Sequence, residues 1–115
     1  MIDPKISKTE DNPVIQVSDA HTVSPRVNEA GIPYSIVVST INGTNPKMMH
    51  KKSTWSYLII DGEVTFHIDE NNPITLTQGD TITLPPETIY YFEGNGSFYT
   101  ICDPPFTPED DFFID

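Results

Sequence analysis

In the segment Glu63-Val64-Thr65-Phe66-His67-Ile68-Asp69, apolar and polar residues alternate without a break. This is the pattern of a strand with one face buried and the other wet. Upstream, Ser35-Ile36-Val37-Val38-Ser39-Thr40-Ile41 is a β-branched run closed by Asn42-Gly43, a strand followed by a turn signal. Further strands are expected at about 47–51, 55–60, 73–77, 80–84, 88–93 and 97–102. Their separators are Asp61-Gly62, Glu70-Asn71-Asn72-Pro73, Gln78-Gly79-Asp80, Pro85-Pro86-Glu87 and Gly94-Asn95-Gly96. No segment sustains a 3.6-residue apolar period, so little or no helix is expected. Many short strands with frequent turns predict an all-β fold, a sandwich or a jelly-roll barrel.

The flanks read differently from this centre. Residues 1–33 form an N-terminal arm: a polar stretch, a possible edge strand at 14–17, then Ser24-Pro25 and Gly31-Ile32-Pro33 as turn punctuation. The barrel is expected over 34–103. Residues 104–115 are an acidic and aromatic tail that carries Phe106, Phe112 and Phe113 among prolines and acids. Phenylalanines left in water are unfavourable, so the tail is expected to dock on the barrel or on a partner subunit.

Composition narrows the function. At 115 residues the chain is one domain. A net charge of −11 with six Lys and Arg excludes partners that need clustered positive charge, so neither nucleic acid nor an anionic membrane is expected. One cysteine, Cys102, permits no intramolecular disulfide and no Cys-based zinc site; it lies in an apolar strand as a small hydrophobe. The N-terminus has no charged region followed by an apolar run, and no apolar stretch is long enough for a membrane helix. A cytoplasmic location is therefore expected, with Asn42-Gly43-Thr44 and Asn95-Gly96-Ser97 read as hairpin turns rather than glycan sites.

The centre resembles the cupin superfamily. The first cupin motif runs Gly, about five residues, His-x-His, three or four residues, Glu, six residues, Gly. Here Gly62 closes it, Trp55 stands at the Glu position, His50 at the second His and Met48 at the first; Gly43 opens it one residue close. The second motif runs Gly, five residues, Pro-x-Gly, two residues, His, three residues, Asn. Gly79 and Pro85 match it, while Glu87, Tyr90 and Gly94 replace the Gly, His and Asn. The resemblance covers about 34–103 and implies a cupin-type jelly-roll barrel. It implies no one activity, because the superfamily spans many. Small cupins commonly pair through sheet edges, so a homodimer is expected.

A typical cupin metal is held by three imidazoles and a carboxylate. The corresponding positions here are Met48, His50, Trp55 and Tyr90. A thioether, an indole and a neutral phenol are poor or impossible ligands for a hard divalent ion, so no metal or other cofactor is expected. No spacing says that His21 or His67 rebuilds the set. What remains is an aromatic interior with polar tips. Strand alternation sets Met48 with His50, Trp55 with Tyr57, and Tyr90 with Phe92, and Ser39 or Thr100 could add hydroxyls. Two readings stay open: a small-molecule pocket, or aromatics filling the space a metal left. The expected function is binding of an unidentified small molecule by Met48, His50, Trp55, Tyr57, Tyr90 and Phe92. The alternative is a metal-free isomerase, epimerase or lyase with His50 and Tyr90 as its acid–base pair. A metal-dependent dioxygenase fits less well.

Overall fold

The structure, a computed structural model, describes Pro4 and residues 6–114. Among these residues there are nine strands, two short 3-10 turns at Thr9–Asp11 and Pro108–Asp110, and no α-helix. The strands are β1 (Ile15–Ser18), β2 (His21–Val27), β3 (Ser35–Thr44), β4 (Met48–His50), β5 (Thr54–Ile68), β6 (Ile74–Thr77), β7 (Thr81–Leu84), β8 (Tyr90–Asp103) and β9 (Asp111–Phe113). All pairings are antiparallel. The sheet runs β1-β2-β3-β8-β4-β9, and β5 pairs with β8, β6 and β7. Its inner face buries Ile41, Met48, Tyr57, Ile59, Val64, Phe66, Leu84, Tyr90, Phe92 and Phe98.

The expected strands at 55–60 and 63–69 are one strand, β5, and those at 88–93 and 97–102 are one strand, β8. Asp61-Gly62 and Gly94-Asn95-Gly96 are therefore not turns. They lie opposite each other, with Gly62 across from Gly96 and Val64 across from Gly94. A Cβ on Gly62 would stand 2.2 Å from the Asn95 carbonyl oxygen, and one on Gly94 2.2 Å from that of Glu63. Glycine here allows two backbones to close on each other where the long strands bend. A bulge between Ile59 and Asp61 also shifts the inward parity of β5, from Tyr57 and Ile59 to Val64 and Phe66. Both sequons fall in this region: Asn42 pairs with Asn95 across β3 and β8, in mid-strand rather than in hairpin turns.

The stretch 18–33, read from sequence as turns, contains β2. Pro25 is tolerated because β2 pairs with β1 only at residues 21–23; beyond that point one of its edges is unpaired. The first strands extend the sheet, with β1 at its edge. At the other end the tail contributes β9, which pairs with β4. Cys102 is fully buried, and burial pushes its thiol up to about 12, against a smaller opposing effect from the Ser35 hydroxyl.

Gly62 has φ +77°, a left-handed conformation, as well as no room for a side chain. The Gly62→Ala variant should lose about 3 kcal/mol or more of stability in urea denaturation, and an unchanged midpoint would contradict this account of the bend.

Candidate functional site

Strand β4 is three residues long, and it organises the site. Met48 and His50 share its buried face, and Met48 lies opposite Tyr90 of β8. On its other edge β9 places Met48 across from Phe113 and His50 across from Asp111. The His50 carbonyl accepts the Glu87 N–H at 2.7 Å, which holds the end of β4. The imidazole is 3% exposed, so both ring nitrogens need partners within the protein.

Both have one. His50 Nδ1 is 2.7 Å from Asp111 Oδ1, and Nε2 is 2.6 Å from the Tyr90 hydroxyl. The Tyr90 hydroxyl bonds in turn to that of Tyr57. A carboxylate only accepts, so Nδ1 carries the imidazole proton and donates it to Asp111. Nε2 then accepts from Tyr90, and the Tyr90 oxygen accepts from Tyr57. The result is a directed chain from Tyr57 through Tyr90 and His50 to Asp111. Burial pushes the Tyr57 phenol well above its ordinary value, reinforced by Tyr90 beside it. Burial does the same for Tyr90, partly offset by its bond to Tyr57. Both phenols are therefore neutral hydroxyls at physiological pH rather than phenolates.

Trp55 stacks on the His50 ring, centroids 3.6 Å apart and planes within 4°. An imidazolium formed there would rest on the indole face, a cation–π contact that adds to the Asp111 carboxylate. Asp111 is held in place through its neighbour. Asp110 accepts the Lys52 N–H at 2.7 Å on one oxygen and the Ser53 N–H at 3.0 Å on the other. Its carbonyl accepts the Lys51 N–H, and Ile114 N–H bonds to the Lys47 carbonyl. Burial pushes the Asp110 carboxyl upward, but the Lys52 and Ser53 N–H groups outweigh it and hold the group below its ordinary value.

In front of this chain lies a cavity of about 310 Å³, at the small end of ligand pockets. Its lining includes Met48, Trp55, Tyr57 and Phe92, with Ser39 and Thr100, all expected from sequence. His50 and Tyr90 do not border it. They stand one layer behind, covered by Trp55 and Tyr57, because a polar pair this deep is satisfied by the protein itself. The wall also contains Phe98 and Asp111, which the sequence reading did not single out, His21, considered there only as a metal ligand, and Phe106 and Phe113 of the tail, expected to dock on the barrel or on a partner subunit. Phe98 and His21 face inward with their strands. Phe106, Asp111 and Phe113 arrive with the tail. Asp111 follows another acid in a Pro-rich segment, and nothing in the sequence marks it as the residue opposite His50.

The four positions where a cupin metal would sit do not fit one. Both nitrogens of His50 are engaged, and Met48, Trp55 and Tyr90 offer a thioether, an indole and a neutral phenol. His67 does not rebuild the set; its ring stacks on Tyr91 at 4.4 Å and faces Glu93. Among the described residues no three His, Cys, Asp or Glu groups cluster as metal ligands, and no helix is long and apolar enough to cross a membrane.

No protein-family profile matches the chain, and no curated protein matches it significantly. Solved structures do. A nucleoside dehydratase from Streptomyces superposes with a TM-score of 0.86 at 15% identity, over 97% of this chain and 92% of its own. An RmlC-like cupin from Shewanella frigidimarina gives 0.77 at 14% identity, over 94% and 96%. Ectoine synthase from P. lautus gives 0.71 at 16% identity, over 100% and 91%. The chain has the cupin-type barrel fold.

The Asp110→Asn variant keeps the shape but offers one acceptor where two N–H groups converge. At neutral pH it should unfold about 1–3 kcal/mol more easily. Because the folded-state value of Asp110 is depressed, its contribution is present above the unfolded value and is lost as pH falls through the folded one. The gap between variant and wild type in urea denaturation should therefore narrow below about pH 4; a gap that persists unchanged in acid would assign the loss to another cause.

Proposed function

We propose that this protein binds a small uncharged ring-bearing molecule, of the nucleoside kind, in the aromatic cavity and performs metal-independent acid–base chemistry on it. The reaction class that fits is a lyase of the dehydratase type. The observation that carries this reading is the directed hydrogen-bond chain from Tyr57, at the cavity wall, to the buried His50–Asp111 pair. The Streptomyces relative adds support, since it is a nucleoside dehydratase. It was also solved with uridine in variants that each replace a tyrosine or a histidine, the residue types that make up this chain.

The chemistry follows from the direction of the chain. The Tyr57 oxygen takes a proton from a substrate carbon as its own proton moves to Tyr90 and that of Tyr90 moves to His50 Nε2. The electron pair of the broken C–H bond forms a carbon–carbon double bond, and a hydroxide departs from the adjacent carbon. The imidazolium, held by Asp111 and Trp55, then returns the proton along the same path, and the hydroxide leaves as water. Base and acid are thus one relay in two states. The apolar wall excludes bulk water and strengthens each bond in it.

A second reading, binding without turnover, has its own observation: His50 and Tyr90 do not touch the cavity, so of the hydrogen-bond chain only Tyr57 and Asp111 would meet a ligand directly. The relay variants separate the two. If the chain is catalytic, His50→Ala and Tyr57→Phe should cost roughly two to four orders of magnitude in rate on a turned-over nucleoside, with modest change in binding. If it only binds, the same variants should weaken affinity by about 1–3 kcal/mol with no product from either protein by mass spectrometry.

The cavity also selects by charge. Among the described residues no Lys or Arg borders it, and Asp111 is the only carboxylate. In calorimetric titration, uridine 5′-monophosphate should bind at least about tenfold more weakly than uridine, since its phosphate would enter unpaired beside Asp111; equal or tighter binding of the monophosphate would refute the uncharged-ligand reading.

A further inference from the structure

Strands β3 and β8 turn three hydroxyl side chains inward among apolar neighbours: Ser35, Ser39 and Thr100, each at most 3% exposed. Ser35 serves the fold, since its hydroxyl accepts the Phe106 N–H at 3.0 Å. Ser39 and Thr100 do not: among the described residues neither hydroxyl has a hydrogen-bond partner. Nor are their oxygens covered, because the covered side-chain atoms without a partner are all nitrogens. An oxygen neither bonded nor covered, on a residue almost wholly buried, must open into internal space, and both residues line the cavity. The other hydroxyls on that wall are engaged: Ser18 accepts the Ala20 N–H, and Tyr57 bonds to Tyr90. Hydroxyls in an apolar interior without partners are costly, so a free pair on one wall requires a reason. The register places the two together. Val37 lies opposite Thr100 and Ser39 opposite Phe98, so Ser39 and Thr100 are diagonal neighbours on the inner face. Thr100 also lies directly opposite Tyr57 on its other side.

We propose that Ser39 and Thr100 form a hydroxyl-reading subsite that holds a vicinal diol of the ligand, the sugar diol of a nucleoside. The inference rests on the small-molecule reading above and adds the recognition that reading lacks. Each of these side chains can both donate and accept, and a ligand hydroxyl has the same two capacities, so two neighbouring ligand hydroxyls use both fully. A carbonyl would use only the donor of each, and a charged group would meet two neutral partners too weak to offset its loss of water. Reach agrees with this. Diagonal neighbours across a strand pair stand about 7–8 Å apart or somewhat less at Cβ. A diol with oxygens about 3 Å apart and a hydrogen bond of about 2.8 Å at each end bridges such a distance. With Thr100 opposite Tyr57, a diol held here keeps the sugar ring, rather than the base, on the side of the wall where the hydrogen-bond chain ends.

Calorimetric titration with two nucleosides tests this. Wild type should bind uridine at least about tenfold more tightly than 2′,3′-dideoxyuridine, which lacks the diol. Ser39→Ala and Thr100→Val should each weaken uridine about five- to tenfold and leave the dideoxy compound within about twofold of its wild-type affinity, while Thr100→Ser keeps most of the binding. A dideoxy compound that binds as tightly as uridine, variants that bind uridine like wild type, or equal losses for both nucleosides would overturn the proposal and leave the nucleoside reading standing. If wild type binds neither compound, the nucleoside reading fails and the diol subsite falls with it. A second measurement needs no ligand. Both variants remove a hydroxyl that has nothing to bond in the unliganded protein, so their melting temperatures should equal or exceed that of wild type. A fall of more than about 4 °C in either would assign that hydroxyl to the fold and overturn the proposal.

Discussion

A histidine sealed inside an apolar barrel must find two hydrogen-bond partners in the protein, and most of the arrangement around the cavity answers that need. Leaving either nitrogen of His50 unpaired would cost about 1–3 kcal/mol, comparable to the gain from burying a large side chain. Tyr90 satisfies one nitrogen from the neighbouring strand. The other is satisfied by Asp111, from the far end of the chain. A tail of three prolines and several acids would have little reason to form a strand by itself. It does so because β4 offers a free edge, and because Asp110 gathers two N–H groups of the loop that follows β4. The carboxylate that packs the tail and the carboxylate that pairs with His50 are adjacent residues, so docking and site assembly are one event.

This arrangement sets the direction of the proton chain. Had Asp111 been an amide, either tautomer of His50 would be allowed and the chain could run both ways. A carboxylate fixes the tautomer and therefore every donor from there to Tyr57. Burial raises both phenols, so both stand as neutral hydroxyls and each can donate one hydrogen bond along the chain. Trp55 contributes on both sides: one face stabilises the imidazole stack, and the same ring forms part of the cavity wall. The site is thus dry at its centre and presents few polar atoms to the cavity, a condition under which each hydrogen bond counts strongly.

The all-β class and the inward set of Met48, Trp55, Tyr57 and Phe92 were legible in the sequence because period-two alternation survives in single strands. Longer features were not. The Asp-Gly and Gly-Asn-Gly signals carry the same residues whether the chain turns back or two long strands bend together, and only the cross-strand partner distinguishes these. Ser24-Pro25 hid β2 because proline argues against a strand unless one edge is open. His21 was read as lying in irregular chain for the same reason, although it is the first residue of that strand. Asp111 was invisible for a different cause. Its role depends on a partner 61 residues away, and no local pattern selects one acid from a run of them.

The resemblance to cupins carries a chemical point beyond the fold. The four positions that hold a metal in a typical member are occupied here by Met48, His50, Trp55 and Tyr90, and they are still in contact: Met48 pairs with Tyr90 across strands, Trp55 stacks on His50, and Tyr90 bonds to it. The geometry that would converge lone pairs on an ion instead converges a donor on the one imidazole left. An ion cage needs several bases aimed at one point, whereas a proton relay needs alternating donors and acceptors in a line. Replacing an imidazole by a phenol makes that change, since a phenol both donates and accepts. The Tyr57 hydroxyl extends the line to the cavity and Asp111 closes it from the tail. Under the proposed reading, positions that would hold a cation in a typical cupin serve here to line up donors and acceptors for a proton, with the same strands and nearly the same places.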